Sequence, residues 1–341
     1  MTLFKVSTEP LDLPLKHTFT ISRGSREVAE NILIRLEADG ITGIGEAAPN
    51  HRYNETRESA LSFLNNIGSY ETRKPFDVDA LVSHMNDKSD GEYAAKAGLE
   101  MALYDWIGKK LRMPIYRLLQ APGATGPRTT FTIGIDEPEV ISEKVREAEA
   151  YPLLKVKLGT DNDKEIIRTI RDVSSKPVLV DANERWESVD QAMEMLRYLE
   201  NYNVFLVEQP MPASCKKEMM ILRRKSSIPL FADESLTGRE SLDEIAMQFH
   251  GINIKLMKTG AISTSLRLLH RARMKGLKIM TGCMVESTIA DTASAVVAMW
   301  ADYADLDGHM LIKNNPCKGL IINPEGNVKL RDEPGLGLVS N

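Results

Sequence analysis

Residues 177–233 contain three short apolar runs: PVLVD at 177–181, VFLVE at 204–208 and IPLFAD at 228–233. Each run has the length of a β-strand and is followed by a polar segment of helical length, an alternation typical of βα units. Strands of a parallel sheet are covered by helices on both faces, so they are nearly continuous apolar runs, as these are. The stretch therefore predicts an α/β fold with a parallel sheet.

The same alternation continues on both sides of this stretch. It predicts eight strands, at Thr130–Ile135, Leu153–Lys157, Pro177–Asp181, Val204–Glu208, Ile228–Asp233, Gly251–Lys255, Leu277–Thr281 and about Tyr303–Asp307. Eight strands separated by helices favour closure into a (β/α) barrel over an open doubly wound sheet. No Gly-x-Gly-x-x-Gly motif follows any of these strands, which argues against a dinucleotide-binding fold.

The residues before the barrel follow a different pattern. Residues 31–46 alternate like two strands joined by Asp39-Gly40, a favoured hairpin turn. Helical periodicity follows at residues 54–68, 77–86 and 91–111. We therefore predict three parts: an α+β domain over residues 1–120, the barrel over 121–310, and a Gly- and Pro-rich segment over 311–341 that returns to the first domain.

Bulk composition points to a small-molecule substrate. The chain has 341 residues and a net charge of −5, and its Lys and Arg residues are scattered, so no basic stripe suggests nucleic acid or an anionic membrane. No apolar run reaches membrane-spanning length. Cys215, Cys283 and Cys317 are far apart and offer neither a disulfide framework nor a zinc-type spacing, which fits the cytoplasm. The sequence leaves open whether the protein forms a homo-oligomer.

Each of the three central runs ends in a carboxylate: Asp181, Glu208 and Asp233. Their spacings of 27 and 25 residues each match one βα unit, so the three acids are expected at equivalent positions around the C-terminal mouth of the barrel. One such acid could simply cap the next helix, but three like charges in register repel unless a cation neutralises them. Ligands that are all oxygen favour one Mg²⁺, or Mn²⁺, over zinc.

Lysines lie on the strands on either side of the acids. Lys155 and Lys157 precede them and Lys255 follows them. Strand side chains alternate, so Lys155 and Lys157 share one face and point inward if Val156 packs beneath the helices. A lysine is almost never buried without a partner or a task. These residues are either structural counter-ions for the acids or groups that move protons.

This arrangement suits removal of the proton on a carbon next to a carboxylate. A divalent cation on the carboxylate oxygens would stabilise the charge of the enolate that forms. A nearby cation and partial desolvation would lower a lysine's pKa and make it a base, and Lys155 is expected to do this for Lys157. With Lys157 on one face and Lys255 on the other, one removes a proton and the other returns one, which is epimerisation or racemisation.

At this point the motifs, taken in order, resemble those of the enolase superfamily, within its muconate-lactonizing subgroup. They are Gly43-x-Gly45-Glu46-x-x-Pro49, Met101-Ala102-Leu103-Tyr104-Asp105, Lys155-x-Lys157, Asp181-Ala182-Asn183, Val207-Glu208-Gln209-Pro210, Ala232-Asp233-Glu234-Ser235 and Asn253-x-Lys255-Leu256-Met257-Lys258. The resemblance covers nearly the whole chain. It implies a modified TIM barrel of the (β/α)7β type under an N-terminal α+β capping domain. It also implies metal ligands at Asp181, Glu208 and Asp233, and acid/base residues at Lys157 and Lys255.

The last strand narrows the substrate class. Asp305-Leu306-Asp307 resembles the Asp-x-Asp pair with which dipeptide epimerases hold the substrate's α-ammonium group. This resemblance implies a dipeptide such as L-Ala-D/L-Glu, from bacterial cell-wall turnover, inverted at the α-carbon of its C-terminal residue. Arg23 or Arg26 is expected to bind the glutamate side chain. The other expected substrate contacts are Lys155, Thr132, Cys283 and Met284.

Three departures from the family pattern and several alternatives remain. The departures are Thr259-Gly260-Ala261 in place of a Gly-Gly pair, Cys283 in place of serine, and Glu184-Arg185 in place of Gln-Gly. They leave the metal ligands and lysines intact but weaken inference about the second residue of the dipeptide. The alternatives are an o-succinylbenzoate synthase or a muconate cycloisomerase-like enzyme of the same superfamily, a lysine Schiff-base lyase, and a non-catalytic small-molecule-binding protein.

Overall fold

The first part of the chain forms a four-stranded antiparallel sheet. The computed structural model describes all 341 residues. The sheet has the order β3-β2-β1-β4, with β1 at Thr2–Ile21, β2 at Gly24–Ala38, β3 at Ile41–Ala47 and β4 at Ser69–Thr72. The predicted hairpin is confirmed, because Ala38 pairs with Ile41 and both turn residues, Asp39 and Gly40, have positive φ. Two left-handed residues in succession are typical of the type I′ turn.

All three predicted helices of this part are present. They are α1 at Arg57–Ile67, α2 at Val78–Lys88 and α3 at Tyr93–Leu111, followed by the short α4 at Ile115–Leu118. Helix α3 is buried from Ala94 to Gly108 because it lies directly on β3. A Cβ added at Gly43 or Gly45 would lie 1.9 Å from a carbonyl oxygen of α3, so the two glycines of the first motif permit this close contact.

The eight predicted barrel strands are confirmed. After β5 at Thr125–Arg128 they are β6 (Phe131–Ile133), β7 (Leu154–Lys157), β8 (Val178–Asp181), β9 (Val204–Glu208), β10 (Leu230–Ala232), β11 (Gly251–Lys255), β12 (Lys278–Gly282) and β13 (Tyr303–Asp305). They form one sheet in chain order with parallel pairing throughout. A parallel bridge between Thr129 and Ala304 joins its two edges and closes the barrel.

Helices follow the first seven barrel strands. They are α5 (Pro138–Glu147), α6 (Asp163–Val173), α7 (Val189–Leu199), α8 (Lys216–Lys225), α9 (Leu242–Gln248), α10 (Leu256–Thr259), α11 (Ile262–Met274) and α12 (Thr288–Ala298). The last strand is followed only by a 3-10 turn at Gly308–Met310. The fold is therefore the predicted (β/α)7β barrel. None of the helices combines the length and the apolar composition needed to cross a lipid bilayer.

Alternation along the strands separates two apolar layers. Val156, Val178 and Val180 face the helices and belong to the main core. Leu179 instead joins Leu206, Phe231 and Met280 in a small cluster that fills the barrel interior. Side chains in register with the interior layer therefore point to the barrel axis. The prediction that Lys155 and Lys157 point inward is confirmed, because Val156 between them is fully buried against the helices.

The capping sheet extends over the C-terminal mouth. Beyond Pro14 the ends of β1 and β2 pair as a narrow ribbon from Phe19 and Arg26 to Ile21 and Gly24. Leu13, Leu15 and Ala29 at the base of this ribbon pack against Val285 and Ile312 of the barrel side. The ribbon tip is therefore held above the strand ends.

The C-terminal segment ties the barrel to the first part of the chain. Its strands, β14 at Ile321–Ile322 and β15 at Asn327–Lys329, extend a small sheet with β5. Farther on, the Leu336 amide donates to Asp105 Oδ1 of α3 at 2.9 Å. These contacts agree with a segment that returns to the first domain, whereas the domain bounds at residues 120 and 310 stay a prediction.

A buried acid also connects the cap and the barrel. Glu100 on α3 is fully buried and accepts hydrogen bonds from the amides of Ile262 and Ser263 and from Ser263 Oγ, at the start of α11. Burial raises the pKa of Glu100 to about 7, although these hydrogen bonds oppose the rise. A carboxyl group with a raised pKa binds its proton more tightly in the folded protein than in the unfolded chain.

Glu100 should therefore make stability depend on pH. The free energy of unfolding is expected to fall as the pH rises from about 4.5 through about 7, by about 3 kcal/mol from this residue. Glu100→Gln cannot titrate, so urea unfolding should show the wild type losing stability relative to this variant between pH 5 and pH 8. The exposed Glu139→Gln on α5 is the matched control. A wild-type advantage that stays constant or grows with pH would contradict the assignment.

Candidate active site

Three buried carboxylates meet at the barrel mouth. Asp181 ends β8, Glu208 ends β9 and Asp233 follows β10, and one oxygen from each lies within 4.8 Å of the others. All three side chains are buried. Burial raises the pKa of Glu208 to about 7, and the charges of Asp181 and Asp233 add to the rise while Lys155 opposes it. Three converging hard oxygen donors with mutual repulsion fit a hard divalent cation such as Mg²⁺.

Two lysines lie on either side of this carboxylate group. Lys157 Nζ is 2.7 Å from Asp181 Oδ2, and Lys255 Nζ is 2.7 Å from Asp233 Oδ2. The three acids occupy β8 to the end of β10, so the strand order places Lys157 on β7 at one side and Lys255 on β11 at the other. Neither lysine points to solvent, since their side chains are only 10% and 8% exposed.

At Lys255 the protein's own acids act against the expected lowering of a lysine pKa. Burial alone would favour the neutral amine, but the carboxylates of Asp233 and Glu208 outweigh it and raise the pKa of Lys255. The same balance acts on Lys155, where burial is outweighed by Asp305, Glu208 and Asp181. The strand pattern predicted lysines beside the acids, whereas the distance of 2.7 Å between Lys255 Nζ and Asp233 Oδ2 is a property of the folded barrel.

Lys155 joins the acid group to the last strand. Its Nζ lies 2.7 Å from Glu208 Oε2, 2.7 Å from Asp305 Oδ2 and 3.2 Å from Asp181 Oδ2. The side chain is 3% exposed. Lys155 therefore binds three carboxylates at once from inside the barrel and fixes the positions of their oxygens.

The two aspartates at the end of β13 have different partners. Asp305 accepts from Thr130 Oγ1 at 2.6 Å and binds Lys155, which offset its buried charge. Asp307 accepts the Thr132 amide at 2.6 Å through Oδ2 and has no cationic partner. Burial and the nearby Asp305 raise the pKa of Asp307 to about 7. Thr132 therefore holds Asp307 in place beside the end of β6.

One cavity of about 630 Å³ brings these groups together. The cap supplies Phe19, Ile21 and Tyr53, and the barrel supplies the strand ends. Asp181 and Glu208 lie beneath the cavity, and the other predicted site residues line it: Asp233, Lys157, Lys255, Lys155, Asp305, Asp307, Thr132, Cys283, Met284, Arg23 and Arg26.

Cys283 and Met284 form part of the wall next to the last strand. Burial and the surrounding acids raise the pKa of Cys283 well above its ordinary value, so it is a thiol, and its Sγ donates to the Asp305 carbonyl at 3.3 Å. The sulfur of Met284 is 3.7 Å from the Asn50 side-chain amide of the cap. Both residues therefore contribute packing and weak polar contacts rather than charge.

Arg23 and Arg26, the two candidate arginines, are not equivalent. Arg23 lies 2.8 Å from Glu234 and 3.3 Å from Glu184, so its charge is balanced by acids of the barrel. Arg26 has no ion-pair partner within the protein, and burial lowers its pKa. Arg26 is thus the cation in this cavity wall whose charge is unmatched by a neighbouring carboxylate.

Glu184, one of the departures from the family pattern, clamps the cap to the barrel. Its carboxylate accepts hydrogen bonds from Nε and Nη2 of Arg52, at 2.9 Å each, and from the backbone amide of Ala213, also at 2.9 Å. Arg52 and Arg23 come from two different segments of the cap, and both bind Glu184. Bidentate arginine pairs are among the stronger polar contacts, so this acid holds both segments over the mouth.

Several residues of the site were missed. Lys258 is fully buried and donates to Asp233 at 2.5 Å, and Asn253 donates to Glu208 at 2.6 Å. Both lie in the quoted Asn253-x-Lys255 motif, whose polar content was a usable signal. Tyr53, Asn50 and Arg52 come from the cap and reach the site only through tertiary folding, so no strand-end pattern marked them.

Comparison with known proteins agrees with this geometry. Residues 5–120 match the N-terminal domain of the mandelate racemase / muconate lactonizing enzyme family, and residues 140–341 match the enolase C-terminal domain-like family. The chain belongs to the mandelate racemase / muconate lactonizing enzyme family. Its fold is the one implied by the motifs, and its three strand-end acids could hold a metal ion.

Members of this family with similar sequences include two epimerases. The L-Ala-D/L-Glu epimerase of Bacteroides thetaiotaomicron is 37% identical over 98% of this chain and 88% of its own. The L-Ala-D/L-amino acid epimerase of Pedosphaera parvula is 40% identical over 91% of this chain and 92% of its own.

Solved structures of family members superpose closely. The substrate complex of the L-Ala-D/L-Glu epimerase from Bacillus subtilis has a TM-score of 0.91 and 26% identity, covering 100% of this chain and 99% of its own. A dipeptide epimerase from Enterococcus faecalis, complexed with Mg and L-Leu-L-Tyr, has a TM-score of 0.90 and 29% identity over 100% of both chains. The Mg in that related complex agrees with a group of three buried acids that could hold a metal ion in this chain.

Proposed function

We propose that this protein is a dipeptide epimerase that inverts the α-carbon of the C-terminal residue of a dipeptide such as L-Ala-D/L-Glu. The observation that carries the proposal is the placement of Lys157 and Lys255 on opposite sides of the three buried carboxylates. Asp181, Glu208 and Asp233 would hold one Mg²⁺, or Mn²⁺. When bound, this ion supplies an electrophile that stabilises negative charge on the substrate carboxylate.

The two lysines would then act as acid and base on opposite faces of the substrate. One amine removes the α-proton, and the other, as an ammonium group, delivers a proton to the opposite face of the enolate. In the reverse direction their roles exchange, so each must alternate between charged and neutral forms. Lys155 would keep Glu208 and Asp181 oriented, because its amine lies 2.7 Å from Glu208 Oε2 and 3.2 Å from Asp181 Oδ2.

The other end of the dipeptide would be held by the last strand. Asp307 is a buried carboxylate without a cationic partner, which suits the α-ammonium group of a substrate. Relatives described as L-Ala-D/L-Glu and L-Ala-D/L-amino acid epimerases support a dipeptide. An L-Ala-D/L-Glu substrate would place the enzyme in the recycling of bacterial cell-wall peptides. The three cysteines are unpaired, which supports the cytoplasm as its location.

Arg26 is the residue expected to bind an acidic C-terminal side chain. The charge of Arg23 is already balanced by Glu184 and Glu234, whereas Arg26 forms no ion pair with any acid of the protein. Arg26→Met should lower kcat/KM for Ala-Glu relative to Ala-Leu by about 10- to 100-fold, because a charge-assisted pair is lost. The ratio should not change in Arg168→Met, an exposed arginine on α6. An unchanged ratio in Arg26→Met would show that a group other than Arg26 binds the acidic side chain of the substrate.

One experiment tests the reaction class and the substrate together. The protein is incubated with Mg²⁺ and a dipeptide library in D₂O, and deuterium at the α-carbon is detected by mass spectrometry. We expect incorporation at the C-terminal residue of Ala-Glu-like dipeptides, abolished by EDTA. Trapping of a substrate on the protein by borohydride, without deuterium incorporation, would favour a Schiff-base lyase.

A further inference from the structure

Glu208, the middle one of the three strand-end acids, is held from two sides. Its Oε2 lies 2.7 Å from Lys155 Nζ, and its Oε1 accepts a hydrogen bond from Asn253 Nδ2 at 2.6 Å. Lys155 is on β7 and Asn253 is on β11, each two strands away from β9 in the order of the barrel. The two partners therefore reach the carboxylate from opposite directions across the barrel interior.

The two oxygens of Glu208 have different surroundings. Lys155 lines the cavity at the barrel mouth, and its Nζ also lies 3.2 Å from Asp181 Oδ2. Asn253 does not line that cavity and is fully buried. Oε2 is therefore the oxygen on the side of Asp181 and the cavity, whereas Oε1 is the oxygen that Asn253 holds within the barrel.

Asp233 shows the same division between its two oxygens. Its Oδ2 binds Lys255, which lines the cavity, and its Oδ1 binds Lys258, which does not. Because a carboxylate group is planar, a hydrogen bond that fixes one oxygen also sets the direction of the other. Hydrogen bonds of this kind orient acids that bind metal ions, and their loss typically weakens metal binding.

The amide of Asn253 is otherwise poorly matched to the barrel interior. Its Oδ1 is buried and has no hydrogen-bond partner within the protein. A buried polar atom without a partner is unfavourable, so an apolar side chain of similar size would suit this position better if packing alone decided it. The hydrogen bond to Glu208 is the one that the Asn253 side chain makes.

A glycine on the next strand makes room for this side chain. Gly282 is on β12, which pairs with β11. A Cβ added at Gly282 would lie 2.6 Å from Asn253 Oδ1, 2.7 Å from Nδ2 and 3.0 Å from Cγ, and these are the three atoms nearest to it. A larger residue at position 282 would therefore displace the amide that binds Glu208.

We propose that Asn253 is a positioning residue of the metal site, which fixes Oε1 of Glu208 so that Oε2 stays directed toward Asp181. Gly282 is part of the same device because it leaves the space that the amide occupies. This inference rests on the metal site of the proposed function. It assigns the affinity for Mg²⁺ in part to a side chain that binds neither the metal nor the substrate.

The first test measures Mg²⁺ binding by isothermal titration calorimetry, with the full chain freed of metal by EDTA and dialysis. Asn253→Leu keeps the size of the side chain but lacks the donor, so Kd for Mg²⁺ should rise by about 10- to 100-fold. The Mg²⁺ concentration that gives half-maximal α-deuterium exchange should rise in parallel. An unchanged Kd in Asn253→Leu would overturn the proposal.

Thr281→Val is the matched control for this test. Thr281 is on β12, is fully buried, and has an Oγ1 without a hydrogen-bond partner. The change therefore also replaces a buried polar group by an apolar one of similar size, but it touches none of the three acids. Its Kd for Mg²⁺ should equal that of the wild type, and a rise as large as in Asn253→Leu would overturn the specific role of Asn253.

The second test displaces Asn253 from the neighbouring strand. Gly282→Ala places a methyl group against the amide, so Kd for Mg²⁺ should rise by about tenfold although every acid and Asn253 itself are retained. Asn253→Ala removes the side chain that this methyl group meets. Adding Gly282→Ala to Asn253→Ala should then change Kd by less than about twofold, because the two changes act on one contact. Equal effects of Gly282→Ala in both backgrounds would overturn the proposal.

Failure of this inference differs from failure of the proposed function. If the wild type binds no Mg²⁺, both fall. If the wild type binds Mg²⁺ and exchanges deuterium but Asn253→Leu binds Mg²⁺ equally well, only the inference falls. If Mg²⁺ binding depends on Asn253 but no dipeptide is exchanged, the proposed reaction falls and the role of Asn253 stands. Gly282→Ala decides the matter if Asn253→Leu does not fold.

Discussion

Epimerisation is expected to fall by about 10³-fold when either Lys157 or Lys255 is replaced by alanine. Three lysine amines line the cavity: Lys157 and Lys255 on opposite sides of the carboxylate group, and Lys155, which is bound to Glu208 and Asp305. Removing one leaves one face of the substrate without a proton acceptor or donor. The rate is measured as the conversion of L-Ala-L-Glu to L-Ala-D-Glu by chiral chromatography.

Two further variants separate chemistry from folding. Lys255→Arg keeps a cation opposite Asp233 but cannot act as a base, so it should lose activity while retaining its thermal stability. Lys164→Ala, a half-buried lysine on α6 that does not line the cavity, should keep the wild-type rate. A syn elimination needs only one essential lysine, so substantial activity in either alanine variant would favour the synthase or cycloisomerase alternative.

Loss of a proposed metal ligand is the second change with a large expected effect. Asp233→Asn removes one of three negative charges from the proposed Mg²⁺ site and should lower the rate by about 10³-fold. A readout that does not depend on activity is thermal unfolding. Mg²⁺ should raise the melting temperature of the wild type, because a ligand that binds only the folded state stabilises it by about 2.7 kcal/mol at a hundredfold excess over Kd.

The same measurement distinguishes this variant from a general loss of stability. In Asp233→Asn the shift caused by Mg²⁺ should disappear. In Asp243→Asn, an acid at the start of α9 far from the cavity lining, the shift should be retained. Full activity of the wild type after EDTA treatment, or an undiminished Mg²⁺ shift in Asp233→Asn, would contradict a metal site at these residues.

The barrel could be predicted because its strands carry a local signal. Val178–Asp181 is buried throughout and Val204–Glu208 over its last three residues, so their apolar runs end where the strands end. The acids at those ends follow from the same periodicity, since one βα unit separates them. The predicted boundaries differ from the observed ones by only a few residues, mainly at Thr130–Ile135 and Ile228–Asp233, where the pairing of the strand ends is lost.

The cap's contribution to the site could not be predicted in this way. Arg52 and Glu184 are 132 residues apart in sequence, and their contact depends on how two domains dock. The difference between Arg23 and Arg26 likewise arises from barrel acids that meet only one of them. The raised pKa of Lys255 depends on a distance of 2.7 Å to Asp233, which no spacing in the sequence specifies.

The central claim is that two amines serve opposite faces of one carbanion. It is tested most directly by α-deuterium exchange of L-Ala-L-Glu and L-Ala-D-Glu, each offered separately to Lys157→Ala and Lys255→Ala in D₂O. The two-amine arrangement predicts that each variant still exchanges one epimer, and that the two variants exchange opposite ones. Loss of exchange with the same epimer in both variants, or exchange of both epimers by either, would contradict it.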